Sequence, residues 1–150
     1  MFLLEILVLD KGRLLHGLPA RHCSGRALKA NQALCASFLI KTPSQKIYMG
    51  GDSVYDPHFA EIGKQYPGID LAILENGQYN EDWKYIHTMP QYLGQVARDL
   101  NEEKILTVHN SKYAFARHRW DEPLKNAMNL KEKDSLNLLM PIIGEVVRLK

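Results

Sequence analysis

The chain has 150 residues, of which 45% are hydrophobic and 24% are charged. This composition is typical of a globular domain and excludes a disordered or low-complexity protein. The 19 basic and 17 acidic residues give a net charge of +2, so there is no electrostatic reason to expect binding to nucleic acid or to an anionic membrane surface.

The first residues are apolar, but they do not have the pattern of a membrane span or a signal peptide. Glu5 interrupts residues 1–9 and Asp10 follows them, whereas a bilayer span needs about 20 apolar residues. No basic segment precedes the apolar run, as it would in a signal peptide. Cys23 and Cys35 lack metal-type spacing and favour a reducing compartment. We therefore expect a cytoplasmic protein with no membrane span.

The first half of the chain predicts a series of antiparallel strands. Apolar runs over residues 2–9 and 13–18 are joined by Asp10-Lys11-Gly12, a connection typical of a hairpin. After a polar loop, strand-compatible residues cover 34–41 and 46–49, with a turn between them. The pattern predicts a meander of four strands.

The second half predicts short buried strands that alternate with helices. Phe59, Ile62 and Tyr66 recur at helical spacing, and Pro90 is placed to open a helix. A mixed sheet with helices on one face, of the α/β (α+β) class, follows from this alternation. The predicted helices are 57–66, 90–100 and 123–128; the predicted strands are 69–74, 105–108 and 142–149, and residues 131–135 are predicted as a turn.

Three side chains with metal-binding chemistry directly follow predicted strands. They are His22, Asp52 and His109, and loops at strand ends are where α/β folds gather functional groups. Two imidazoles and a carboxylate suit zinc or a similar metal. Asp52 has two oxygens and is able to bridge two ions, an arrangement found in two-metal hydrolases.

Each of these signals also has a structural explanation. A histidine in a mixed sequence is more often structural than a metal ligand, and Gly50-Gly51-Asp52 at a strand end is usually a turn. On these residues alone, an α/β domain that binds no metal is the favoured interpretation.

Five segments resemble, in the same order, those of metallo-β-lactamase-fold metal-dependent hydrolases. Within that family they are most similar to the subgroup of N-acyl-phosphatidylethanolamine phospholipase D and L-ascorbate-6-phosphate lactonase. Five matches in order are far more specific than any single one. The segments are residues 18–26 (LPARHCSGR), 48–55 (YMGGDSVY), 70–79 (DLAILENGQY), 87–90 (HTMP) and 107–113 (TVHNSKY).

The resemblance implies an active site. His22, Asp52 and His109 would be metal ligands, with Asp52 bridging up to two ions of zinc (or manganese). Asp52 and His87 would be catalytic, with His87 beside the metal-bound water or a substrate oxygen, where it would hydrogen-bond developing negative charge. The implied reaction is attack of a metal-bridged hydroxide on a phosphodiester, lactone or amide of a small-molecule substrate.

In one respect the sequence departs from the family pattern. The first half of the family carries a His-x-His-x-Asp-His motif that supplies the remaining ligands, and the chain contains no such motif. His22, Asp52 and His109 would leave each of two ions with two protein ligands, fewer than the three of a typical catalytic zinc. We therefore expect residues 1–150 to form a single domain that is the C-terminal half of an αββα sandwich, from a truncated or split hydrolase.

A half-sandwich would leave one sheet face as a large apolar patch, which predicts association. The expected partner is a second copy of the chain or a separately encoded N-terminal half. An alternative is a non-catalytic oligomeric or regulatory module that retains the half-fold. A third reading is a fragment with no autonomous function.

Overall fold

The computed structural model describes residues 5–8, 10–22, 34–113 and 116–149, without the side chains of residues 5–8 and 10. A seven-stranded sheet runs through them, and its strands lie side by side in the order in which they occur in the chain. The strands are β1 (Glu5–Val8), β2 (Leu14–Pro19), β3 (Ala36–Lys41), β4 (Lys46–Met49), β5 (Leu71–Glu75), β6 (Ile105–Val108) and β7 (Leu138–Leu139).

The strand pairing changes from antiparallel to parallel at β4. Strands β1 to β4 pair antiparallel, which confirms the predicted meander, whereas β4 to β7 pair parallel. The parallel strands are joined by the helices α1 (His58–Gln65), α2 (Pro90–Leu100) and α3 (Glu122–Asp134). Because such crossovers are right-handed and each advances one strand in the same direction, all three helices lie on one face. The predicted mixed sheet is confirmed.

The core lies between the sheet and this helical layer. Tyr48 of β4 is fully buried and packs with Phe59 of α1, ring centroids 6.4 Å apart. Helices α1 and α2 approach closely at Gly63, where an added Cβ would lie 2.0 Å from the Asp99 carbonyl oxygen. The core side chains are Leu18, Leu39, Tyr48, Phe59, Ile62, Ile69, Ala72, Leu74, Leu93, Val96, Ala97, Leu100, Ile105, Ala127 and Leu138.

The opposite face of the sheet is apolar and carries none of the three helices. Because side chains alternate along a strand, Ile47 and Met49 flank the buried Tyr48 and point to this second face. Phe38 and Met49 are each 40% exposed there. We call this surface the open face; by the strand register it consists of Leu15, Phe38, Ile40, Ile47, Met49, Leu71, Ile73, Leu106 and Leu139.

Two predictions for the last part of the chain are wrong. The predicted turn at 131–135 is the end of α3, since its lysines and glutamate are good helix formers that need no burial; Ser135 ends the helix with a φ of 53°. The predicted strand at 142–149 is not a strand. Instead β7 pairs at Leu138–Leu139, and Pro141, which has no N–H for the ladder, follows it.

Helix length and polarity also bear on the membrane prediction. Within the described residues, no helix is both long enough and apolar enough to cross a membrane.

Burial of the Glu102 carboxylate, near the start of β6, predicts a pH dependence of stability. Its Oε2 is buried without a hydrogen-bond partner among the described residues, and burial raises the pKa of Glu102 from 4.5 to about 7. Folding therefore favours the protonated form of Glu102. The contribution of this group to the free energy of unfolding is complete below pH 4.5 and is lost as pH rises through about 7. We expect Glu102→Gln to be more stable than the unchanged protein by about 1 kcal/mol at pH 8.

The measurement is urea unfolding at acidic and at slightly alkaline pH. Glu103→Gln, an exposed neighbour, is the control and should leave the pH dependence unchanged. An equal pH dependence in Glu102→Gln and the unchanged protein would contradict the assignment.

Candidate metal centre

The candidate ligands lie together at one edge of the sheet, formed by the carboxyl ends of several strands. Strands β2, β4, β5 and β6 run in the same direction, so their carboxyl ends meet at this edge. His22 follows β2, Asp52 follows β4, Glu75 ends β5 and His109 follows β6. The topology thus brings together side chains that are far apart in sequence, as it does at the carboxyl edge of many α/β sheets.

Asp52, His87 and His109 form a cluster at this edge. Their potential ligand atoms all lie within 4.8 Å of one another, and His109 Nε2 is 3.8 Å from Asp52 Oδ2. The imidazoles of His87 and His109 are inclined by 27° to one another, with ring centroids 5.4 Å apart. One carboxylate and two imidazoles are a donor set that fits a divalent ion such as zinc. Two predicted ligands are therefore together, with the predicted catalytic histidine beside them.

His22 lies next to this cluster but is not one of its three members. Its ring centroid is 5.2 Å from that of His87, and its Nδ1 donates to the Ile86 carbonyl oxygen at 2.9 Å. The Arg21 backbone N–H donates to Ser53 Oγ at 3.1 Å, which fixes the residues directly after β2 to the loop after β4. The assignment of His22 as a metal ligand stays a prediction.

Glu75 belongs to the site, and the sequence reasoning gave it no role. Its Oε2 accepts a hydrogen bond from His87 Nδ1 at 2.7 Å, and its Oε1 accepts the Thr88 backbone N–H at 2.6 Å. The side chain is only 3% exposed. An acidic residue at the end of an apolar strand was the available signal, because burial of a carboxylate requires specific partners.

Burial and the neighbouring carboxylates shift the pKa of His87 in opposite directions. Burial lowers the pKa of His87, but the hydrogen bond and negative charge of Glu75, together with the charge of Asp52, outweigh it and raise the pKa above 6.5. The protonated imidazole is therefore favoured more than in a histidine that is free in water.

The loop after β6 holds His109 in an unusual backbone conformation. The φ of His109 is 64°, a region that residues with a Cβ adopt rarely. The Asn76 backbone N–H donates to the Val108 carbonyl at 2.9 Å, and a Cβ on Gly77 would lie 2.3 Å from the His109 carbonyl oxygen. Glycine at position 77 therefore allows the two loops to approach closely.

A cleft of about 540 Å³ borders His109. Its lining is largely apolar, and includes Val108, Trp120, Leu139 and Ile142. Trp120 and Ile142 are 59% and 80% exposed. The cluster of Asp52, His87 and His109 thus lies where a polar sheet edge meets an apolar surface.

Comparison with known proteins places these features in a family. The sequence profile described as "Beta-lactamase superfamily domain" matches residues 7–110. "Outer membrane protein RomA" of Klebsiella pneumoniae is 60% identical over 94 residues, which are 63% of this chain and 71% of that protein. "N-acyl-phosphatidylethanolamine-hydrolyzing phospholipase D, mitochondrial" of Saccharomyces cerevisiae is 32% identical over 120 residues, 76% of this chain and 26% of that protein.

A solved structure matches the fold over nearly the whole chain. Igni18, a metallo hydrolase from Ignicoccus hospitalis, superposes with a TM-score of 0.74 at 17% identity, over 98% of this chain and 58% of that one. The chain therefore spans little more than half of this structural neighbour and about a quarter of the yeast relative.

Proposed function

The chain belongs to the β-lactamase superfamily domain family, and on this premise we propose that it forms part of the active site of a metal-dependent hydrolase. The resemblance predicted from five sequence segments is thereby confirmed. The observation that carries the proposal is the cluster of Asp52, His87 and His109, with ligand atoms within 4.8 Å of one another at the sheet edge.

The donor set supports zinc (or manganese) as the resident metal. Imidazole and carboxylate are ligands of both, and Asp52 with its two oxygens suits a bridging position between two ions. We propose Asp52 and His109 as ligands, and His22 as a further ligand because its Nδ1 is already bound to the Ile86 carbonyl and leaves Nε2 for an ion. We propose that His87 is catalytic and lies beside the metal-bound water or a substrate oxygen, where it would hydrogen-bond developing negative charge.

The proposed reaction is hydrolysis of a phosphodiester, lactone or amide of a small molecule. A bound divalent ion would act as a Lewis acid and would supply a nucleophile from water near neutral pH. The residues of the chain fix the geometry: Asp52 and His109 hold one side of the site, and the hydrogen bonds of His22 and His87 hold those two imidazoles in place. The apolar cleft beside His109 is suited to an apolar part of a substrate.

The apolar open face is an argument for a partner polypeptide that completes the site. A contiguous apolar sheet face is a typical association surface, and Igni18 contains a further part of comparable size that this chain does not match. We propose that a separately encoded or additional polypeptide covers the open face with a second sheet and provides the further ligands. A cytoplasmic location remains our prediction for the assembled protein.

The test is reconstitution of the purified chain with zinc or manganese, followed by hydrolysis assays on phosphodiester, lactone and amide probes. We expect bound metal by elemental analysis, which chelation removes and added ion restores, and we expect hydrolysis once the partner that provides the further ligands is present. A chain that binds neither metal contradicts the proposal and favours the non-catalytic module.

Association is tested by light scattering on the same sample. We expect the chain alone to self-associate, since its open face would otherwise be in contact with water. A monodisperse, stable monomer would count against a partner at this face.

A further inference from the structure

His118 uses both of its ring nitrogens in hydrogen bonds that fix its protonation state. Its Nε2 accepts the Gln78 backbone N–H at 3.0 Å, and its Nδ1 lies 2.8 Å from the Arg119 carbonyl oxygen. A backbone N–H only donates and a carbonyl oxygen only accepts, so Nδ1 carries the proton and Nε2 carries a lone pair. This pair of contacts therefore requires the neutral imidazole.

Gln78 binds the segment that carries His118 at two further points. Its side-chain Nε2 donates to the Tyr113 carbonyl oxygen at 2.7 Å, and its Oε1 accepts the Ala116 backbone N–H at 3.1 Å. The His118 ring also packs on Tyr79, with ring centroids 4.4 Å apart. Gln78 and Tyr79 are each 7% exposed, so the Gln78 N–H would have little access to water if its acceptor were lost.

Protonation of His118 is incompatible with its contact to Gln78. The imidazolium has an N–H at both nitrogens, so Nε2–H would face the Gln78 N–H, one donor against another. A buried donor without an acceptor costs free energy. Among the described residues, the carboxylates around His118 have other partners and none pairs with its ring. The titratable and charged groups that surround it are Tyr79 with Glu122, Arg117 with Asp82, and both Arg119 and Lys125 with Asp121.

We propose that the hydrogen bond between Gln78 and His118 is a pH-sensitive latch, which holds residues 116–120 against the loop after β5. Histidine changes its charge between about pH 5 and 8, so the latch is closed in the upper part of this range and open in the lower part. Trp120 lines the apolar cleft that borders His109, so release of the latch alters one wall of that cleft. His118 is not one of the proposed metal ligands, and the latch does not depend on a bound ion.

The experiment is amide hydrogen exchange of the folded chain at about pH 7.5 and at about pH 5, corrected for the intrinsic exchange rate at each pH. We expect the protection of the Gln78 amide to fall roughly 10-fold at the lower pH, relative to the Ala72 amide within β5. In His118→Gln, the new side-chain oxygen is able to accept the Gln78 N–H and does not titrate, so the protection should stay the same at both pH values. His58→Gln is the matched control, because His58 lies at the start of α1; it should behave like the unchanged chain.

Nitrogen NMR of the His118 ring in the unchanged chain is a second measurement that needs no variant. We expect the chemical shifts of the Nδ1–H tautomer at the higher pH, and loss of protection at the Gln78 amide over the same pH interval in which the ring becomes protonated. A ring that is protonated without any change at the Gln78 amide would overturn the latch, and so would a ring that stays neutral down to the lower pH. Equal loss of protection in His118→Gln and in the unchanged chain would assign the pH dependence to another group.

Discussion

An Asp52→Ala variant is expected to lose most of the metal affinity of the chain, by at least about 100-fold. Asp52 is the one carboxylate of the described cluster, and its Oδ2 lies 3.8 Å from His109 Nε2. Without it, two neighbouring imidazoles remain with no negative charge to offset that of a divalent ion. Hydrolysis should fall with metal content, since the proposed reaction depends on the ion.

Elemental analysis of the two proteins purified side by side measures this effect. Asp82→Ala is the control, because Asp82 is an exposed carboxylate that pairs with Arg117 away from the cluster. Equal metal content in Asp52→Ala and Asp82→Ala would show that the ion, if present, is bound elsewhere. Asp52 is 41% exposed, so we expect the fold to tolerate its removal.

The second large effect is expected from Gly77→Ala. The new Cβ would have to lie 2.3 Å from the His109 carbonyl oxygen, a distance that forces the loops after β5 and β6 apart. We expect a loss of stability of about 3 kcal/mol. His109 would move with its loop, so the affinity for Zn²⁺ should fall as well, although Gly77 itself offers no ligand atom.

Thermal unfolding and Zn²⁺ titration of the same sample separate the two parts of this prediction. Gly94→Ala is the control: its nearest neighbours are the side-chain ends of Asp134, Arg98 and Leu130, which are able to move. A Gly77→Ala protein that is destabilised but binds Zn²⁺ normally would mean that His109 does not depend on this close approach.

Much of the fold was predictable because hydrophobic pattern and turn residues agree along most of the chain. Helix α2 was predicted with its observed bounds, since Pro90 opens it and an amphipathic pattern follows. The end of the chain was not predicted correctly. Apolar residues at 142–149 indicate burial, but they do not indicate whether a neighbouring strand is available for pairing. Pairing is a tertiary property, and the local composition gives no information about which edge is available.

The candidate site was predictable in part for a similar reason. His22, Asp52 and His109 were found because each follows a strand. The hydrogen bond between Glu75 and His87 was not predicted. It joins the end of one strand to a loop twelve positions later, and it depends on the burial of both side chains. The sequence contains both residues within segments of the family resemblance, but only the packing shows that they touch.

The order of the strands has a consequence for how the chain folds. Each strand of the sheet pairs with the one that follows it in the chain, so every pairing step closes a loop between neighbouring elements. Loop-closure entropy rises with loop length, and topologies of this kind fold faster than those with distant pairings. Asp52 and Glu75 are in place once β5 has joined β4, and the addition of β6 alone brings His109 to them.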